Sequence, residues 1–223
     1  MNQEIVKRIL SSIVLIPLVF FFIIKGSFFF IFFLAVCFLV TAYEWYQMSS
    51  KKSYCYPGLL FLIFSFYTAY LLRNNSYDES FQFLLIVILI CIATDVGGYV
   101  FGKIFKGPKL TKISPNKTYA GMFGGYFLSI ISVNIFIDYG SSIRDFIKPD
   151  LIWDPFFSFK FFVLVIAIST ISQIGDLTVS YFKRLSKTKN TGKIIPGHGG
   201  ILDRVDGMIF ALPASYILSK FLI

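Results

Sequence analysis

The 223-residue chain is 56% hydrophobic, with 28 Phe and only 15% charged residues, where soluble domains carry about a quarter. Several apolar runs reach about 16 to 20 residues, enough to cross a hydrocarbon core as helices. This excludes a soluble globular enzyme, and it assigns the net charge of +9 to the basic loops of a membrane protein rather than to a nucleic-acid surface.

Lys7-Arg8 precede a first apolar run, Ile9 to Ile24. The run imitates a secretory signal but no small-x-small cleavage site follows it, so it reads as an uncleaved span. Lys25-Gly26 break the chain, and a second run extends from Ser27 to Tyr43. Glu44-Trp45-Tyr46 reads as a boundary at headgroup level, because Trp and Tyr favour that depth. After a turn with Lys51 and Lys52, a third span covers Pro57 to Leu72. A polar turn, Arg73 to Glu79, leads to a fourth span, Phe81 to Val100, which contains Asp95. A Lys-rich loop, Lys103 to Lys117, separates it from a fifth span, Tyr119 to Ile137, whose Gly121, Gly124 and Gly125 allow close helix approach. A polar external loop is expected from Asp138 to Pro155. The sixth run starts near Phe156, carries Asp176 and continues as helix to Arg184; the last spans Gly207 to Ile223, with a kink expected at Pro213.

The reading is an all-α polytopic membrane protein of about seven transmembrane helices (six to nine), forming a single domain over 1–223. Spans within 1–80 are read as peripheral, and 81–223 as the part that carries chemistry. With the N-terminus cytoplasmic, fifteen of the 21 Lys and Arg fall on cytoplasmic segments, as the positive-inside tendency requires. Cys37, Cys55 and Cys91 lack metal-ligand spacing and read as apolar filler.

Acids inside apolar spans are costly and mark functional sites by default, which singles out Asp95 and Asp176. Asp176, Ser180, Lys183 and Arg184 stand at i, i+4, i+7 and i+8, on one helix face. The carboxylate and hydroxyl are hard oxygen donors of the kind Mg²⁺ prefers, and the two cations suit phosphate oxygens. Pro196-Gly197-His198-Gly199-Gly200 is a tight turn whose glycines let backbone N–H groups approach an anion. Asp203 and Asp206 share a face at the start of the last helix and can join Asp176 at a metal. Spacing alone leaves a second reading open, in which the bases form a solvated loop and the aspartates cap helices.

Ser180-x-x-Lys183-Arg184, Lys189, Gly192, Pro196-Gly197-His198-Gly199-Gly200 and Asp203-Arg204-x-Asp206 together resemble the signature of the phosphatidate cytidylyltransferases. Lys7-Arg8-Ile9, Pro17-Leu18, Glu44-Trp45, Asp95-x-Gly97-x-Tyr99-x-x-Gly102 and Ser114-Pro115-x-Lys117-Thr118-x-x-Gly121 extend the resemblance over essentially the whole chain. One departure stands at Asn190, where the family usually has Asp. The resemblance implies transfer of CMP from CTP to phosphatidic acid in a bacterial inner membrane, with the site on the cytoplasmic side. It further implies a homodimer, a paired Mg²⁺ and K⁺ site, and Asp176 and Asp203 as metal ligands, with Asp206 and Asp95 as further candidates. Lys183, Arg184, Lys189, His198, Arg204 and Asp206 are expected at phosphates or in orienting roles. Ser114, Lys117, Thr118, Ser180, Gly197, Gly199 and Gly200 are expected at the substrates. The rivals are a CTP-dependent polyprenol kinase and a transporter or scaffold for phosphorylated compounds.

Overall fold

The computed structural model describes residues 17–74, 80–111, 113–147, 159–192, 194 and 199–222. Their order is α1 (17–25), α2 (Ser27–Ser49), α3 (Cys55–Asn74), α4 (Ser80–Phe105), α5 (Tyr119–Ile147), α6 (Phe159–Leu185), α7 (Leu202–Val205) and α8 (Met208–Leu222). No strand is present among the described residues, although Lys109 and Thr118 form one antiparallel bridge. Stretches of five helices are long and apolar enough to span a membrane: Ser27–Ser49, Cys55–Asn74, Phe81–Phe105, Tyr119–Ile137 and Phe161–Leu185. Met208–Lys220 of α8 is a shorter apolar segment. The chain is a multi-pass membrane protein. Of the first expected span, 9–24, only 17–24 lies among the described residues, as helix.

The break at Lys25-Gly26 is real and has a local cause. Gly26 adopts φ 62°, a left-handed conformation that favours glycine. The Arg73 Nε donates a hydrogen bond to the Ile23 carbonyl at 2.9 Å, holding the bend against the end of α3.

Three apolar cores join the helices. Val87, Ile90 and Cys91 of α4 pack with Val133 of α5, Phe161, Leu164, Val165 and Ile168 of α6, and Ala211 of α8. A second core, at the end of the bundle that holds Lys183, Asp203 and Asp206, joins Trp45 and Met48 of α2, Leu62 of α3, Val179 of α6, Leu202 and Ile209. The third, at Ile23, Phe30, Leu72, Leu84 and Leu85, fastens the α1–α2 bend. Helices α4 and α5 pack most extensively. A Cβ added at Gly97 would lie 2.4 Å from the Gly124 carbonyl oxygen, so the two backbones are in contact only because glycine stands there. Two hydroxyl pairs, the buried Thr94–Ser169 at 2.7 Å and the half-buried Tyr126–Thr170 at 3.0 Å, tie this pair to α6.

One expectation needs correction. The segment expected as an external loop from Asp138 continues α5 as far as Ile147. Its Ile143, Phe146 and Ile147 recur at helical spacing and the next proline is Pro149, so the helix outlasts the apolar run. Of Glu44-Trp45-Tyr46, Glu44 is 1% exposed and Trp45 5%, so both pack inside the protein, and only Tyr46, at 52%, points outward. Helix α2 runs on to Ser49, carrying Glu44 into the protein.

Candidate active site

The face expected on α6 forms. The Ser180 hydroxyl donates to Asp176 Oδ1 at 3.3 Å. Lys183 lies further along the same helix and reaches the opposite wall, where its ammonium pairs with Asp203 Oδ1 at 3.1 Å and Asp206 Oδ2 at 3.6 Å. Asp203 belongs to the one-turn helix α7 and Asp206 follows its end, so a single lysine reads both at once.

A second lysine arrives from the loop between α4 and α5. That loop is shaped as a narrow hairpin: Leu110 N donates to the Lys117 carbonyl at 2.8 Å and Tyr119 N to the Pro108 carbonyl at 3.2 Å. Thr118 accepts the Gly121 N–H at 3.1 Å and so caps α5. Ser114 is half-buried and its carbonyl takes the Lys117 N–H at 3.0 Å. This geometry delivers the Lys117 ammonium to the Asp176 carboxylate, with which it forms an ion pair.

Asp203 also holds the loop that precedes it. Its Oδ2 accepts N–H bonds from Thr191 at 2.9 Å and Gly200 at 3.0 Å. Gly199, at φ 85°, leaves room for this, since a Cβ there would lie 2.7 Å from Asp203 Oδ2. On the other side of the same loop stands Glu44. It accepts hydrogen bonds from Thr191 Oγ1 at 3.2 Å, Ile201 N at 3.1 Å and Leu202 N at 2.8 Å. Sequence reading passed over Glu44 as a boundary residue. The signal that could have found it is the one that found Asp95 and Asp176, an acid within a helical apolar stretch.

Asp95 sits within electrostatic range of Asp176, Lys117 and Arg204, which brings the acid of α4 to the cluster. Arg184 and Lys189 are exposed, and Arg184 makes no ion pair among the described residues. Asn190 is exposed and its side chain lies beside Gly199. Gly197 and His198 lie outside the described residues. Burial, and then the Asp176 carboxylate, push the Asp206 carboxyl up to about 8, against the opposing pull of Lys183.

The donor set suits a hard cation. Asp176, Asp203 and Asp206 offer only oxygen, and among the described residues no three acidic, histidine or cysteine side chains form a ready-made cage. Mg²⁺ fits such a site because it takes one or two carboxylates and completes its shell with substrate phosphates and water. Asp203 already accepts three hydrogen bonds, leaving one lone-pair position, whereas Asp176 and Asp206 are less committed.

The profile described as the cytidylyltransferase family matches residues 6–92 and 61–222. A phosphatidate cytidylyltransferase of Rickettsia felis is 36% identical over 227 residues, covering 98% of this chain and 93% of the relative. One of Brucella suis is 34% identical over 190 residues, 83% of this chain but 63% of the relative, so the chain spans under two thirds of that protein's length. One of Staphylococcus epidermidis is 34% identical over 194 residues, 83% and 67% of the two chains.

Proposed function

The chain belongs to the cytidylyltransferase family, and on that premise we propose that it is a phosphatidate cytidylyltransferase, making CDP-diacylglycerol and pyrophosphate from CTP and phosphatidic acid. The observation that carries this reading is the convergence of Lys117 and Lys183, from separate parts of the chain, on Asp176, Asp203 and Asp206 at one end of a membrane bundle. Interleaved cations and carboxylates suit two phosphate-bearing reactants brought together with a divalent ion.

In the reaction an oxygen of the lipid phosphate attacks the α-phosphorus of CTP. The bond from that phosphorus to the oxygen bridging to the β-phosphate breaks, and pyrophosphate leaves with the electron pair. The attacking phosphate is ionised near neutral pH, so positioning and charge neutralisation carry the catalysis rather than a strong base. Lys117 and Lys183 bind phosphate oxygens, and Arg184, Lys189 and Arg204 extend the basic surface around them. Ser180 fixes the rotamer of Asp176, and Asp203 fixes Lys183 and the loop amides. Asp176 and Asp206 would hold Mg²⁺, with the remaining lone pair of Asp203 available; when bound, the ion neutralises charge on the nucleotide phosphates. We place the protein in a bacterial cytoplasmic membrane with this site facing the cytosol, because CTP is cytosolic and both basic loops lie at the site end. The homodimer implied by the resemblance is checked by the mass of the detergent-solubilised protein.

The test uses purified protein with Mg²⁺, with and without K⁺, phosphatidic acid, and CTP labelled at the α- or the γ-phosphate. Label from the α-position is expected in lipid, with release of pyrophosphate. Transfer of γ-label to a polyprenol instead would assign a lipid kinase.

A further inference from the structure

We propose that Glu44 is a positioning residue for this transfer: from α2 it sets the height of the segment that carries Asp203, and through it Lys183. The inference rests on the cytidylyltransferase reading for its kinetic consequence, but its structural part stands on contacts alone.

Glu44 is 1% exposed, and all three of its hydrogen bonds come from Thr191, Ile201 and Leu202. A buried carboxyl needs such partners, because one left unpaired in a low-dielectric interior is costly. The donors are shared with Asp203 in an alternating order. Thr191 gives its N–H to Asp203 and its hydroxyl to Glu44; Gly200 gives its N–H to Asp203, and the next two amides give theirs to Glu44. Moving Glu44 therefore shifts the two residues that directly precede Asp203.

The fit is close. A Cβ at Gly192 would lie 2.4 Å from Glu44 Oε1, and one at Gly200 would lie 2.4 Å from Oε2. Glu44 is itself held. The Trp45 indole N–H donates to the Cys55 carbonyl at 3.0 Å, and Trp45 and Tyr54 both pack on Phe182. Tyr54 and Ser186 hydroxyls pair at 2.8 Å. The α2–α3 turn is thus fixed to Phe182 of α6 and to Ser186 just past its end, on either side of Lys183, so Glu44 references the α7 segment to the helix whose lysine meets Asp203. A glutamate that served only to cap α7 would need none of this bracing.

The experiment compares Glu44→Gln, Glu44→Ala and Thr191→Val with the parent protein in detergent. Displacement of a catalytic group by about 1 Å can cost about 100-fold in rate. The expected result is a fall in kcat per folded molecule of about 100-fold for Glu44→Ala, about 10-fold for Glu44→Gln, which keeps one acceptor, and about 3-fold for Thr191→Val. KM for CTP should change by less than about threefold, and helical circular dichroism should match the parent. A second readout needs no turnover: trypsin cleavage after Lys187 and Lys189 should be about tenfold faster in Glu44→Ala. If Glu44→Ala misfolds, Thr191→Val and Glu44→Gln decide. Parental kcat per folded molecule with only a lower melting temperature would overturn the positioning role, as would unchanged trypsin cleavage. Should the parent transfer no α-label, the reaction assignment fails, and the trypsin rates alone decide whether Glu44 holds the segment.

Discussion

Lys117, at the close of a hairpin before α5, rests on Asp176 at the start of the α6 polar face. The pair links the two basic segments of the chain, and neither partner is buried: their side chains are 27% and 24% exposed.

Partly exposed ion pairs of this kind contribute at most about 1 kcal/mol to stability. Lys117→Met should therefore leave thermal unfolding almost unchanged. Its effect on turnover should be larger, about 100-fold in kcat/KM for CTP, if Lys117 is the phosphate-binding cation proposed above. Radiolabel transfer measured beside a melting curve checks this; a large loss of stability with normal specific activity would refute it.

Asp206 gives a pH prediction. Its carboxyl is raised from 3.8 to about 8 in the folded protein, so the folded chain keeps a proton that the unfolded chain releases. Its contribution to stability is fully present below pH 3.8 and is lost as pH rises through about 8. Mg²⁺ should oppose this, because binding displaces the proton. Mg²⁺ affinity and Mg²⁺-induced thermal stabilisation should both be greater at pH 9 than at pH 6, with proton release seen by titration calorimetry in two buffers. Asp206→Asn should flatten both dependences, and a chelator should abolish turnover until Mg²⁺ is restored.

The α4–α5 contact predicts opposite outcomes at adjacent glycines. Alanine at 97 would put its Cβ 2.4 Å from a carbonyl oxygen of Gly124, whereas at 98 the nearest atom is 3.8 Å away. Gly97→Ala should destabilise by about 1–3 kcal/mol. Gly98→Ala should be neutral or stabilising by up to about 1 kcal/mol through helix propensity. Melting temperatures of the two solubilised variants make the comparison; equal effects would show that the helices are not in backbone contact at Gly97.

Asn190 should be compatible with activity. It is exposed beside Gly199, where solvent screens an added charge. Asn190→Asp is expected to change kcat by less than about threefold, measured by α-label transfer. A gain of a hundredfold would mean that the carboxylate is required and that this chain is impaired.

Much of the fold was legible because long apolar runs have one stable solution in lipid, and Gly26 announced its own break. The end of α5 was not, since a helix emerging from the apolar zone keeps its spacing while losing its hydropathy. In the site, Asp176 and Ser180 could be paired from spacing within one helix. The Lys183 contacts to Asp203 and Asp206 could be guessed only as a cluster, because they cross a loop. Glu44 could be singled out as an acid in an apolar helical stretch, but its partners could not be read: they are a hydroxyl and two backbone amides more than a hundred residues away, and a backbone amide has no sequence signature.

The alternation of acids and bases has an electrical consequence. Asp95, Asp176 and Asp203 stand against Lys117, Lys183 and Arg204, while Asp206 keeps its proton near neutral pH. The paired core of the patch, three acids against three bases, is then close to electroneutral despite the strongly cationic chain, and the excess positive charge sits at its rim on the exposed Arg184 and Lys189. On the proposed reading a divalent ion would add two positive charges to this balanced core, so the hold on CTP should rise and fall with the magnesium concentration.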